Sequence, residues 1–142
     1  MDLNECKLKG YVKKAFIDKE LIKSLIEMAD ASEVTVNTGN INEITISSYV
    51  STAYDSLRQV LEALSILNGY KVTNHVCLGE LLVTLLKEFN YEIFDRFRYI
   101  RNGISYYGKK VELEQGKELI KKILKMKNEM LELLKKELAK TR

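Results

Sequence analysis

The chain has 142 residues, no proline, no tryptophan and only +3 formal charge, with 46% hydrophobic and 30% charged residues. That length supports one core, so residues 1–142 read as a single domain, and the lack of any 18-residue apolar run excludes a spanning helix. The charge is uneven: residues 109–142 carry 11 Lys/Arg against 6 Asp/Glu, a basic segment suited to a polyanion or simply to a solvated helix face.

Taken in order, the composition favours helix throughout, an all-α protein rich in straight-chain residues that lose little freedom on coiling. Leu8, Tyr11, Val12 and Phe16 have roughly helical spacing, but Gly10 interrupts them, so a short or frayed first helix is expected within residues 1–15. Asp18 can cap a clearer helix with Leu21, Ile22, Leu25, Ile26, Met28 and Ala29 on its apolar face, ending near Ala31. Val34 to Thr45 is rich in β-branched residues and turn formers; a hairpin around Asn37–Asn40 is conceivable, but a loop is expected, since a lone hairpin is marginal. From about Asn42 the pattern strengthens, with Ile46, Val50, Ala53, Leu57, Val60, Leu64 and Leu67 repeating at four and three residues until Gly69 stops the helix. Thr73 or Asn74 can cap a helix carrying Leu78, Leu82, Leu85 and Phe89, and Asn90–Tyr91 makes a tight connection to an antiparallel neighbour. The last helix, about Glu114 to Ala139, has two adjacent apolar stripes, as expected of a bundle helix.

The central helix is the unusual one. Ile93, Phe97, Ile100 and Ile104 keep to one face, while Asp95, Arg98, Asn102 and Tyr106 form a second, polar face. Arg101 lies between the two, and Gly108 supplies a stop followed by Lys109 and Lys110. A purely structural reading has Arg98 paired with Asp95, Arg101 lying along the surface and the tyrosines packing as core edges. Tyr106 and Tyr107 could instead stack on a nucleotide base or seal the helix end against another subunit. Gly103, costly within a helix, suggests a close approach there.

Arg101-Asn102-Gly103-Ile104-Ser105-Tyr106 resembles the Arg-Asn-x-x-x-His signature of HEPN domains, with Tyr106 at the histidine position. Ser51–Asp55, Leu67–Tyr70 and Asn74–Gly79 look like further landmarks of that family, in the same order, so the likeness covers roughly residues 43–125. The resemblance implies an up-and-down bundle of four to five helices that forms a homodimer about the arginine-bearing helices. It also implies RNA or nucleotide as ligand, and a minimal nucleotidyltransferase as partner in a toxin–antitoxin pair. Active members cleave RNA without metal through Arg and His; a phenol is a poor base at neutral pH, so Tyr106 points to binding rather than fast cleavage.

Three readings follow. The first is a binding module for RNA, a nucleotide or a nucleotidyltransferase partner, with Arg98, Arg101, Asn102 and Tyr107 as ligand contacts. The second is a metal-independent ribonuclease using Arg101, Asn102 and Tyr106; the third is a helical interaction protein with structural arginines. His75, the lone histidine, is expected in a capping or surface role, since nothing in the sequence brings it to Arg101. Cys6 and Cys77 form no CxxC pair and cannot with one histidine build a zinc site, so no metal or cofactor is expected; they read as reduced thiols of a cytoplasmic protein. The N-terminus lacks the basic flank and apolar run of a signal peptide.

Overall fold

The computed structural model describes residues 1–141. Its elements run α1 (Leu3–Leu8), β1 (Val12–Lys14), α2 (Lys19–Thr38), α3 (Ile46–Leu67), β2 (Tyr70–Val72), α4 (His75–Leu85), α5 (Tyr91–Tyr107) and α6 (Leu113–Lys140). Among the described residues no helix is long and apolar enough to cross a membrane.

Helix α3 is the centre. All seven residues of its apolar seam, Ile46 to Leu67, are at most 8% exposed, each contributing roughly 1.5–3 kcal/mol where a large side chain leaves water. Helices α2 and α6 pack along its two flanks, and α4 and α5 cover a third side. Gly116 lets α6 approach closely, because a Cβ there would collide with the Ile46 side chain. The contact with α2 includes a hydrogen bond from the buried Ser56 hydroxyl to the Ala29 carbonyl, 2.7 Å.

A second tie joins α2 to α6. Lys127 is 1% exposed, and its ammonium donates to Asp30 at 2.8 Å and to Glu33 at 3.1 Å. Asn128 donates to the same Glu33 carboxylate at 3.0 Å. A buried ammonium is tolerated because two carboxylates neutralise it and, with Asn128 Oδ1 at 3.4 Å, occupy its three donors.

The fold is mostly helical, with differences from the sequence reading that have physical causes. Helix α2 does not stop at Ala31 but continues to Thr38, replacing the expected loop across much of residues 32–44. Val36 falls seven residues after Ala29 and is buried, and the hydroxyls of Thr35 and Thr38 bond back to the carbonyls of Ala31 and Val34. The face of α2 also shifts: Leu21 and Met28 are exposed. Helix α4 ends at Leu85, and Phe89, although buried, lies in the connection to α5.

The chain also contains a small antiparallel ribbon. Val12 pairs with Val72, Lys13 with Lys71 and Lys14 with Tyr70, so residues on either side of α2 and α3 meet. Behind it Cys6, Val12, Cys77 and Leu81 form a second, smaller core with Leu3, Tyr11, Tyr70 and Val72. Within it Cys6 and Cys77 are joined as a disulfide, Cα–Cα 5.7 Å, both fully buried. The expectation of two reduced thiols is therefore corrected, and with it goes the ground for expecting a reducing compartment.

Replacing Lys127 by Ala leaves a cavity where the buried side chain lay, while Asp30, 52% exposed, and Glu33 keep access to water; the change is expected to cost roughly 3 kcal/mol in urea unfolding. Lys127→Met, which refills the volume, should cost clearly less. Equal losses in the two variants would show that the lost volume contributes nothing and that the whole effect lies in the charge pairing.

Candidate functional site

Asn90 starts α5 by accepting a hydrogen bond from the Ile93 amide at 3.1 Å. Gly108, with φ +62°, ends it in the left-handed conformation. The Lys109 amide then donates to the Gly103 carbonyl at 3.0 Å, and the Lys109 side chain folds over Gly103. The close approach expected at Gly103 is thus made by the chain's own Lys109.

Phe94 and Phe97 anchor α5 in the core, which turns Arg98 and Arg101 toward α3. Arg98 makes the expected pair with Asp95, its Nε and Nη2 both 2.9 Å from one carboxylate oxygen. Arg101 differs. Its Nη2 lies 3.7 Å from Asp55 Oδ1, too far for a hydrogen bond, and its guanidinium sits over the Tyr54 ring at 5.7 Å. Among the described residues the buried Arg101 Nε has no hydrogen-bond partner, nor does Asp55 Oδ1. Asp55 is shared with Arg58, whose Nε is also 3.7 Å away while its Nη1 bonds Glu62 at 2.8 Å.

Four residues beyond the sequence candidates complete this arrangement: Tyr54, Asp55 and Arg58 from α3, and His75 from the first position of α4. Tyr54 is fully buried, with its ring stacked against Phe94 at 6.0 Å and its hydroxyl 3.1 Å from His75 Nδ1. Asn74 caps α4 by accepting from the Cys77 amide, which fixes where His75 stands. His75 is therefore not a mere surface cap: through Tyr54 it belongs to the arginine cluster. Residues 51–55 and 74–79 were singled out in the sequence as landmarks, the signal by which Tyr54 and His75 could have been chosen.

The electrostatics of the pair follow from its surroundings. Burial, then the positive charges of Arg58, Arg101 and Arg98, push the His75 pKa down to about 4. Burial raises the Tyr54 hydroxyl well above its ordinary value, so it stays protonated. With the phenol protonated and the imidazole neutral, one hydrogen bond joins the two, its donor set by the imidazole tautomer.

The other sequence candidates lie elsewhere on α5. Tyr106 and Tyr107 are 71% and 77% exposed at its end, and Tyr99 is 69% exposed one helical face away from the core. Asn102 is half-buried next to Arg101. The structure thus brings Arg98 and Arg101 together with Tyr54, Asp55, Arg58 and His75, and leaves Tyr106 and Tyr107 outside that group. No family model matches the chain, and neither curated proteins nor solved structures show a match to it.

A histidine free in the unfolded chain titrates near 6.5, so between about pH 6.5 and 4 the unfolded state binds more protons. Stability is therefore expected to fall as pH falls through that window. Urea melts of the wild type and His75→Gln should show a shallower pH slope in the variant. A His75 ring that titrates near 6.5 by NMR would contradict the arrangement.

Proposed function

We propose that the chain is a HEPN-like binding module that takes RNA or a nucleotide through its phosphate, using Arg98, Arg101 and Asn102 on α5. Exposed Tyr106 and Tyr107 offer faces for bases at the helix end. The observation that carries the reading is Arg101: it is held by a distant carboxylate and an aromatic face, with one donor unspent. Such a guanidinium can turn to a phosphate oxygen without breaking a short ion pair, and its fork suits that group. The resemblance noted in the sequence adds a minimal nucleotidyltransferase as the protein partner to test.

Binding is favoured over cleavage on chemical grounds. Removing a proton from a ribose 2′-hydroxyl calls for a group that titrates near neutrality. His75 is held neutral to about pH 4 and is bonded to Tyr54, which makes it a weak base and no acid at pH 7. The cluster is suited to holding charge and poorly suited to moving protons.

A fluorescent single-stranded RNA is expected to bind with a salt-dependent affinity that Arg101→Ala weakens roughly tenfold or more, the loss typical of a charge-assisted hydrogen bond. The same RNA incubated in EDTA should remain intact. Affinity indifferent to Arg101 would remove the proposal, while cleavage abolished by Arg101→Ala would make the protein a ribonuclease instead.

A further inference from the structure

Helices α5 and α6 each pack on α3 but barely approach one another. Between them runs a groove of about 1450 Å³ floored by Phe97, Ile100, Leu119, Met126 and Met130. A helix about 10–12 Å across would fill that volume with roughly ten residues. Ile93, on the α5 wall, is 45% exposed. The groove lies on the opposite flank of α5 from Arg98 and Asn102, so it is separate from the site described above.

The charges along its α6 wall indicate what fits. From Lys110, in the connection leading into α6, they run Lys110, Glu114, Glu118, Lys122, Lys125, Glu129. Glu112 also borders the groove, but its carboxylate is engaged in capping the amides of Glu114 and Gln115. The signs read plus, minus, minus, plus, plus, minus. Reversed, this series becomes its own complement. An antiparallel copy of the same wall centred near Leu119–Ile120 therefore sets Glu118 against Lys122, Glu114 against Lys125 and Lys110 against Glu129, each pair twice. A parallel copy in register would set like charges together.

We propose that the α5–α6 groove is the homodimer interface, in which α6 of each copy lies between α5 and α6 of the other. The twofold axis makes the contact isologous and closed. Ile93, Ile100 and Leu119 then leave water, and the charged wall sets the direction of the partner helix. Arg98, Arg101 and Asn102 stay on the outer flanks, so the dimer is not the one the HEPN resemblance implies, about the arginine-bearing face.

Sedimentation equilibrium should give twice the 16.4 kDa chain mass. Glu114→Lys with Glu118→Lys should weaken association at least tenfold. Adding Lys122→Glu and Lys125→Glu, with the two lysines in place, should restore it, because every cross-copy pair again has opposite signs. The exposed intrachain pairs Glu114–Lys117 and Glu118–Lys121 are not restored by that second change, so the rescue reads the contact between copies. Ile93→Asp, on the groove wall and already 45% exposed, should give a folded monomer by circular dichroism. A monomeric wild type, or a dimer unmoved by the first charge reversal, would overturn the proposal.

Discussion

The molecule depends on the burial of α3. A 22-residue helix surrounded on three sides can leave water only if its neighbours supply apolar faces, and α2 and α6 do so at full length. Its remaining strip, Ser51, Asp55, Arg58 and Glu62, is polar and half-exposed. That strip cannot join the core, so α5 meets it with Arg98 and Arg101 rather than with leucines. The arginine cluster is a consequence of the way the core closes, placed where a buried helix has one hydrophilic edge.

Within that cluster the charges are paired but not well paired. Arg98 and Arg58 each have a close carboxylate, whereas Arg101 has only a distant one and an aromatic ring. In a low-dielectric setting an unspent donor is costly, and such a group is the one a ligand can engage with least competition. Tyr54 holds this arrangement from below, clasped by Phe94 and His75. One residue thereby links α3, α4 and α5, and the histidine serves the geometry more than any proton transfer.

Much of the helical framework could be read from periodicity. The α3 seam, the stop at Gly108 and the Arg98–Asp95 pair are all local, three or four residues apart, and local rules describe them. The end of α2 was missed because Val34, Thr35 and Val36 look extended by residue type, while the deciding fact, burial of Val36 against α3, belongs to tertiary packing. The ribbon has three residues per strand and joins segments separated by α2 and α3, too little for a period and too far for a turn signal. The Cys6–Cys77 bond and the approach of His75 to Arg101 share that character. Each depends on where α4 lands on α3, which no spacing in the sequence encodes. Tyr106, chosen for its place in a motif, stands at the solvent-facing end of α5 and shows the converse: a motif position need not converge with its neighbours.

The disulfide has a mechanical consequence. It bridges a sequence separation of 71 residues and encloses β1, α2, α3 and β2 in a covalent loop, leaving α5 and α6 outside. Tension applied at the two chain ends would pass through the sulfur atoms and bypass that loop altogether. At about 3.4 Å per residue, some 240 Å of chain is withheld from extension. The half of the molecule that contains the central helix is thus shielded from a pulling force that would peel α6 and α5 away, so a translocating machine threading the chain from its C-terminus would meet a closed ring at Cys77.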